Sequence, residues 1–372
     1  MDGQLRDGLW IKHVPSVYTP LQVCQWLSRI RYPKVFSEKS LSTFPTDLDN
    51  LRLLVRLQLV TFPFENTEMH YTEGKTMDIS PEGVFQRTVI DGKGSYCFGL
   101  NGLFLQMIRG LGYRTYSSAG RINGGPASSP VFFPFVHMVL FVQPVGGSNA
   151  TYVVDAAGGG SAPTCPILLG DGQIVMGSSP TETHTLTRAA RSDSSLESLP
   201  GSGTVEVEWR LTVRQLKHSS YSERLLYSFI EDEFFPADYA AANIWVYRDL
   251  LRGPFYENVV CNKCFWLTAD EVKMVLEDLD AAAQSSDLPL HTQNLVFSQS
   301  QRKPYLGRFA MEGNTVKKYV GAHSEVVKTF HTEVERAQVL FDVFGIRIAH
   351  RELPHILGRV PALPLGDISQ DH

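Results

Sequence analysis

Long hydrophobic runs are missing from this chain, although 43% of its 372 residues are hydrophobic. No segment approaches the roughly 20 consecutive apolar residues that a transmembrane helix requires, so we expect no membrane association. The polar N-terminal residues, Met1–Gln4, precede no apolar segment of the kind found in a secretory signal. We therefore expect no signal peptide.

Basic residues are fewer than acidic residues in this chain. Lys and Arg number 34 against 39 Asp and Glu, which gives a net charge of −5. No basic stripe is interleaved with aromatic residues, as a nucleic-acid-binding surface commonly shows. We therefore do not expect nucleic acid as a partner.

Cysteine is scarce, with five residues in the chain. An odd and sparse set is typical of a reducing compartment and argues against a disulfide framework, so we expect a cytoplasmic protein. Cys261 and Cys264 form a CxxC pair, but no second pair stands at zinc spacing. We therefore predict no metal site and interpret both as ordinary thiols in a short turn, and Cys165 as structural.

The first third of the chain has the apolar spacing of helices, which are predicted at residues 20–27, 48–59 and 100–111. The middle is rich in β-branched and aromatic residues with glycine-rich joints. Strands are predicted there at residues 113–119, 131–143, 151–154, 174–176 and 205–213. Helices followed by short strands indicate an antiparallel barrel or sandwich.

The last third is mixed. A helix is predicted from a cap at Thr268–Glu271 to Leu279, with a loop at 281–286. Strands are predicted at residues 294–297, 308–311 and 316–319, and a final helix at 331–344. The polar, turn-rich residues 191–203 are predicted to form a mobile surface loop.

Three residues suit a cysteine-based catalytic triad. Cys97 opens a helix-like segment, His137 opens a strand-like one, and Asp155 ends another directly before glycines. A thiol becomes a good nucleophile when a histidine takes its proton and a carboxylate orients that histidine. The dipole and free N–H groups of a helix N-terminus favour a thiolate and could hold an oxyanion. We therefore predict that these three residues are catalytic.

The surroundings of these residues resemble the arylamine N-acetyltransferase family. That family carries Arg-Gly-Gly-x-Cys-x-Glu-x-Asn around its nucleophile, and the matching stretch is Lys93–Asn101. Pro63–Asn66 reproduces the family's Pro-Phe-Glu-Asn, and Val154–Gly159 matches its Val-Asp-Val-Gly-Phe-Gly turn. Gly307-Arg308 and Phe344–Ile346 also match, so the similarity covers most of the chain.

The resemblance implies an α+β protein of several parts with a cysteine-proteinase-like triad architecture. The expected parts are an N-terminal helical bundle (1–111) with the cysteine, a central antiparallel β-barrel (112–235) with the histidine and aspartate, and an inter-domain segment with a C-terminal α/β lid (236–372). Insertions such as 191–203 resemble those of long fungal members, which favours a fungal source.

The resemblance also implies the reaction. An acyl-CoA acylates Cys97, and an arylamine, arylhydrazine or N-hydroxyarylamine then takes the acyl group in a ping-pong cycle. Acyl-CoA is thus expected as a co-substrate, with no permanently bound cofactor. Acetyl-CoA is the expected donor, with malonyl- or propionyl-CoA as alternatives, and detoxification of xenobiotic amines is the expected role. A monomer and a weak dimer both remain open.

Several positions depart from the family pattern. Lys93 replaces an arginine, Ser95 a glycine and Gly99 a glutamate. We expect Lys93 to reach Glu65 and Asn66 as a point charge rather than as a fork. The predicted supporting residues are Glu65, Asn66, Lys93 and Asn101, of which Asn101 keeps the family identity.

The substrate site is predicted from residues that flank the triad in sequence: Phe64, Tyr96, Phe98, Val136 and Gly158. Gly158 stands where the family often has a phenylalanine, so we expect a wider site. Two alternatives fit the same residues. One is a cysteine hydrolase with this triad, and the other is a non-catalytic ligand-binding relative, which the departures at residues 95 and 99 favour.

Overall fold

The computed structural model describes residues 3–157, 159–191, 193–203, 205–217, 220–248, 253–284 and 305–366. The helices in these ranges are α1 (Pro20–Arg29), α2 (Leu48–Thr61), α3 (Glu68–Tyr71), α4 (Pro81–Phe85), α5 (Cys97–Gly110), α6 (Pro236–Tyr247), α7 (Pro254–Glu257), α8 (Ala269–Gln284) and α9 (Glu333–Val339). Single π-helical turns, Gln86–Ile90 and Leu340–Phe344, continue α4 and α9, and short 3₁₀ turns lie at Arg6–Gly8, Leu41–Thr43 and His350–Ile356. None of these helices is long and apolar enough to cross a bilayer.

The strands fall into two sheets. They are β1 (Phe64–Glu65), β2 (Arg114–Ile122), β3 (His137–Gln143), β4 (Tyr152–Val154), β5 (Ile167–Leu168), β6 (Gln173–Met176), β7 (Glu182–Ala190), β8 (Glu206–Lys217), β9 (Ser220–Phe229), β10 (Cys261–Trp266), β11 (Leu306–Glu312), β12 (Thr315–Val320) and β13 (His323–Thr329). The larger sheet is antiparallel, in the order β5-β4-β3-β2-β9-β8-β7-β6. Because β5 lies against β6, this sheet curls into a nearly closed barrel.

The smaller sheet has the order β1-β10-β11-β12-β13. Its first strand comes from the N-terminal region, since Phe64 and Glu65 pair with Asn262 and Cys261. Together with the helices and the barrel, this arrangement confirms the predicted fold class.

Local signals explain where the first helices begin. Thr19 and Gln22 form a capping box at the start of α1, with Pro20 as its first residue. Asp47 caps α2 by accepting a hydrogen bond from the Asn50 N–H. Both helices were predicted, and both extend two residues beyond the predicted end.

One hydrophobic cluster joins the helices to the barrel. Trp26 in α1, Phe104 in α5 and Leu140 in β3 are fully buried in it, together with residues of α2 and α6. The helical region and the barrel thus share a core, and α5 packs directly on β3. The boundaries after residues 111 and 235 stay predictions.

The structure differs from the sequence predictions at several elements. The strand predicted at residues 131–143 begins at His137, because Pro134 has no N–H to contribute to a ladder. The loop predicted at residues 281–286 is wrong for its first part, since α8 runs to Gln284 through alanines with high helix propensity. Cys261 and Cys264 lie in strand β10 and not in a turn. The strand predicted at residues 294–297 lies outside the described residues.

A buried ion pair connects the two sheets. Arg308 on β11 donates to both carboxylate oxygens of Glu182 on β7, at 2.6 and 2.8 Å. Glu182 also accepts from the N–H of Ser178 and from the Gln215 amide. Burial alone would raise the pKa of Glu182, but the Arg308 guanidinium lowers it to about 2. A buried pair that is broken leaves an uncompensated charge in the interior.

We predict that Glu182→Gln destabilises the fold by about 3–5 kcal/mol in denaturant unfolding, because Arg308 is left without its counter-charge. Since the folded-state pKa of Glu182 is depressed, its contribution is fully present above the ordinary carboxyl pKa and is lost as the pH falls toward about 2. Asp49→Asn is the control, because the Asp49–Arg52 pair is exposed and should change stability by less than about 1 kcal/mol. Equal effects of the two substitutions would show that burial adds nothing to the cost of breaking the Glu182–Arg308 pair.

Candidate active site

Cys97 is the first residue of α5. The helix begins with the bond from the Leu100 N–H to the Tyr96 carbonyl, and the Tyr96 side chain provides no cap. The first N–H groups of a helix have no partner within it and carry the positive end of its dipole. The Cys97 sulfur lies 3.6 Å from the Val136 carbonyl oxygen and also hydrogen-bonds His137. The thiol therefore lies at the N-terminus of α5 and in contact with an imidazole that can accept its proton.

The loop before Cys97 is fixed by Glu65 and Arg87. The Arg87 guanidinium donates to a Glu65 carboxylate oxygen at 2.6 Å and to the Gly94 carbonyl at 2.7 Å. The Glu65 carboxylate also accepts from the Gly94 N–H, and the Glu65 N–H donates to the Ser95 carbonyl at 3.0 Å. Burial alone would raise the pKa of Glu65, but Arg87 lowers it below its ordinary value. A buried charged pair thus holds the cysteine loop against β1.

The expectation that Lys93 holds Glu65 is wrong. Arg87, six residues earlier in the chain, takes that position, and among the described residues Lys93 has no ion-pair partner. A guanidinium can bond a carboxylate and a carbonyl at once, which an ammonium on this loop would do less well. No local motif marks Arg87 in the sequence, so the residue was missed.

The departures at Ser95 and Gly99 are a matched pair. A Cβ on Gly99 would lie 2.2 Å from the Ser95 hydroxyl oxygen, so the serine occupies the space of a side chain at residue 99. Gly94 is equally restricted, because a Cβ there would lie 1.9 Å from the Pro63 carbonyl oxygen. The loop backbone therefore packs directly on the Pro63–Asn66 segment.

His137 and Asp155 are in direct contact. His137 Nε2 lies 2.8 Å from an Asp155 carboxylate oxygen, which leaves Nδ1 for the Cys97 thiol. Burial opposes protonation of the imidazole, but Asp155 and the Cys97 sulfur raise the pKa of His137 well above its usual range. Burial would likewise raise the pKa of Asp155, whereas His137 lowers it below its ordinary value. The three predicted residues are thus brought together as a continuous chain of contacts.

The Asp155 carboxylate is oriented from several sides. The Asn101 amide donates to it at 3.0 Å and to the Met138 carbonyl at 2.7 Å, and accepts from the Ala156 N–H. Tyr227 on β9 donates its hydroxyl to Asp155 at 3.2 Å, and its ring lies against that of His137. Burial, with Asp155 beside it, raises the pKa of Tyr227 far above its usual value, so the phenol keeps its proton. Tyr227 was not foreseen, since it lies 72 residues from Asp155.

Cys97, His137 and Asp155 open into a cavity of about 650 Å³. Much of its wall is aromatic: Phe64, Phe133, Tyr227, Trp245 and Phe255. Glycines 124, 125, 159 and 160 form another part, where the absence of side chains leaves room for a ligand. Such a concave, mainly apolar site with a few polar groups is typical of small-molecule binding.

The predicted substrate-site residues separate into groups. Phe64 and Val136 line the cavity. Tyr96 and Phe98 are not among its lining residues, because the Tyr96 ring packs edge-on against Phe98, which faces a cavity on the far side of α5. Their packing favours a role in the core over direct substrate contact. Gly158 lies outside the described residues.

Asn66 supports the cavity wall rather than the cysteine loop. Its amide donates to the carbonyls of Phe255 and Asn258, at 2.8 and 2.9 Å, and accepts from the Val260 N–H. These bonds fix α7, which carries the Phe255 ring next to Phe64. The Pro-Phe-Glu-Asn segment therefore positions both the nucleophile and one aromatic wall.

The other cysteines are free thiols. Burial raises the pKa of Cys165, Cys261 and Cys264, so they are poor nucleophiles at neutral pH. Within the described ranges, no three His, Cys, Asp or Glu residues are arranged to hold a metal ion.

Comparison with known proteins gives relatives across nearly the whole chain. A family model described as N-acetyltransferase matches residues 47–353. The N-malonyltransferase FDB2 of Fusarium pseudograminearum is 23% identical over 359 residues, which is 92% of this chain and 93% of that protein. The arylamine N-acetyltransferase of Mycobacterium tuberculosis is 35% identical over 133 residues, 36% of this chain and 46% of that protein.

Solved structures share the fold. The Mycobacterium marinum arylamine N-acetyltransferase in complex with CoA superposes with a TM-score of 0.63 at 20% identity, over 92% of this chain and 100% of that one. The Salmonella typhimurium arylamine N-acetyltransferase gives 0.62 at 17% identity, over 90% and 97%.

Arg87→Gln should lower the rate of Cys97 alkylation by iodoacetamide at least about tenfold, because the loop that carries the thiol loses its buried anchor. Lys93→Gln is the matched control and should leave that rate within about twofold, since Lys93 holds no acid. Mass spectrometry of the Cys97 peptide reports the rate. A larger effect from Lys93→Gln would refute the assignment of the anchor to Arg87.

The pH dependence of alkylation should depend on Asp155. Because Asp155 raises the pKa of His137, the imidazolium persists through neutral pH and is lost only as the pH rises through that raised pKa. In Asp155→Asn the imidazolium should deprotonate at lower pH, and Cys97 alkylation near pH 7 should fall by roughly tenfold or more. Tyr227→Phe keeps the carboxylate and should have a smaller effect. Unchanged pH profiles in Asp155→Asn would show that the pair does not control the thiol.

Proposed function

The chain belongs to the arylamine N-acetyltransferase family and is therefore an acyltransferase, and we propose that it acylates aromatic amines through a thioester on Cys97. The observation that carries this proposal is the contact chain from the Cys97 sulfur through His137 to Asp155 at the base of one aromatic cavity. A nucleophile, a base and an orienting carboxylate are the groups that such a transfer requires.

In the first half-reaction, the Cys97 thiolate attacks the thioester carbonyl of an acyl-CoA. The carbon–sulfur bond to CoA breaks, and the CoA thiolate takes the proton held on His137. The free N–H groups at the start of α5 are positioned to stabilise the oxyanion that forms in between. The products are acyl-Cys97 and free CoA, and the imidazole is neutral.

In the second half-reaction, the nitrogen of the acceptor attacks acyl-Cys97. His137 takes the proton that the nitrogen loses, and the Cys97 thiolate leaves. The amide is released, and the thiolate–imidazolium pair is restored for the next cycle. Asp155 holds the imidazole in position throughout and stabilises its charged form.

The cavity supports an aromatic acceptor. Rings of Phe133, Trp245 and Phe255 face the space beside Cys97, and aromatic walls bind flat apolar rings. We propose arylamines, arylhydrazines and N-hydroxyarylamines as acceptors, and detoxification of such amines in the cytoplasm as the role. The CoA complex of the Mycobacterium marinum relative supports acyl-CoA as the donor.

The names of the relatives differ in the acyl group that is transferred. The FDB2 relatives, which align over nine-tenths of the chain, are named N-malonyltransferases, whereas the bacterial relatives are named N-acetyltransferases. The long alignment favours malonyl-CoA over acetyl-CoA.

Cys97→Ala should abolish acyl transfer from any acyl-CoA to 4-aminophenol while leaving the unfolding transition unchanged, because the thioester cannot form without the sulfur. Intact-protein mass spectrometry with each CoA thioester should show the acyl mass on the wild type and not on Cys97→Ala. Cys165→Ala is the control and should acylate normally.

The two rivals give different outcomes in the same assay. A hydrolase would consume the acyl-enzyme in water as fast as in the presence of the amine. A non-catalytic ligand-binding protein would show no acyl mass at all. Full turnover by Cys97→Ala would overturn the proposed mechanism.

A further inference from the structure

Strand β9 contains a bulge beside the cavity. Leu211 on β8 pairs with Tyr227, but the next residue, Thr212, pairs with Leu225, so Leu226 is left without a partner across the ladder. The bulge is held by Asn123, the residue after β2, whose N–H donates to the Leu226 carbonyl at 2.9 Å and whose side-chain amide donates to the Leu225 carbonyl at 3.2 Å. Bulges next to functional sites commonly redirect a side chain.

The residue that this bulge redirects is Arg224. Arg224 and Tyr227 are three residues apart, a spacing that puts side chains on opposite faces of a regular strand. With the bulge, Arg224 pairs with Val213 and Tyr227 with Leu211, and residues 211 and 213 share a face. Arg224 therefore lies on the face that carries Tyr227, the residue bonded to Asp155.

Arg224 lines the same cavity as Cys97. Its guanidinium donates to the Ser161 hydroxyl at 2.6 Å, and Ser161 lies on the turn that follows Asp155. The same hydroxyl accepts from the Gln215 amide at 3.2 Å, so its own hydrogen can point to a ligand. Among the described residues Arg224 has no carboxylate within ion-pair distance. Its remaining N–H donors form an unmatched positive charge at the cavity rim.

The cavity wall has three further acidic or basic residues, His137, Asp155 and Glu223. His137 and Asp155 neutralise each other. The backbone of Glu223 is in register with Arg214 on β8. Arg224 is thus the cation of this wall to which an anionic substrate group can bind. A guanidinium bonds a carboxylate through two parallel hydrogen bonds.

We propose that Arg224 selects acyl donors with a terminal carboxylate, that is, malonyl-type thioesters, by binding that carboxylate with the help of Ser161. The proposal rests on the proposed function and gives it a donor class. Because the bulge brings Arg224 and Tyr227 opposite residues 213 and 211, they are about 7 Å apart along the ladder. The long arginine side chain and an extended malonyl group can together cover that distance.

The test is single-turnover acylation of Cys97 with malonyl-, propionyl- and acetyl-CoA, in the wild type and in Arg224→Gln. The ratio of malonyl to propionyl acylation rates should fall by roughly 10- to 100-fold in Arg224→Gln, because one charge-assisted contact is lost. Arg224→Lys, which keeps the charge without the fork, should give an intermediate ratio. Arg214→Gln is the control on the opposite face of the sheet and should leave the ratio unchanged.

N-acetylcysteamine thioesters separate the two anions that Arg224 could bind, since these donors carry an acyl group but no phosphate. If Arg224 binds the malonyl carboxylate, the ratio falls in Arg224→Gln with these donors as well. If it binds a phosphate of CoA, Arg224→Gln slows all three CoA donors equally and none of the cysteamine donors, and the proposal is overturned.

Failure of this proposal is distinguishable from failure of the proposed function. A wild type that acylates Cys97 with all three donors at similar rates would overturn the donor selection and leave the cysteine mechanism intact. A wild type that forms no acyl-enzyme with any donor would overturn both. The unfolding transition of each variant, matched to the wild type, ensures that a changed ratio reports on selection.

Discussion

The buried pair of Glu65 and Arg87 is the interaction on which the rest of this structure depends. The Glu65 carboxylate is fully buried and the Arg87 guanidinium is largely buried, so loss of either partner would leave the other charge uncompensated. Through it the loop before Cys97, the two-residue strand β1 and the turn after α4 are held as one unit. That unit leads directly into Cys97, the first residue of α5, and so holds the thiol beside the imidazole.

The second requirement is that three separate regions meet at one point. The sulfur comes from a helix start, the imidazole from the first residue of β3 and the carboxylate from the end of β4. Asn101, one turn into the cysteine helix, bonds the carboxylate directly. The helix that carries the nucleophile therefore also orients the far end of the triad, and a displacement of α5 would disturb both ends together. Tyr227 adds a fourth region, since its hydroxyl reaches Asp155 from β9.

The sequence predicted the parts of the site that local patterns encode. Cys97, His137 and Asp155 lie at ends of elements whose periodicity is clear, and the Pro63–Asn66 segment is a recognisable motif. The positions of Arg87, Tyr227 and Arg224 at the site could not be predicted, because they arise from long-range pairing. The Leu226 bulge shows why: nothing in the alternation of residues 220–229 reveals that one residue drops out of register. Likewise, only the folded chain shows that Arg87, and not the predicted Lys93, is the cation that pairs with Glu65.

The pairing of strand β1 bears on the order in which the site can assemble during synthesis on the ribosome. One edge of this strand bonds the cysteine loop and the other pairs with Asn262 and Cys261. A nascent chain that has emerged only as far as the barrel already contains the sulfur, the imidazole and the carboxylate, yet half of the frame around its loop is still missing. The pairing of β1 with β10 can therefore form only after residue 262 has been synthesised, and a chain that ends earlier would carry all three groups without that part of the support.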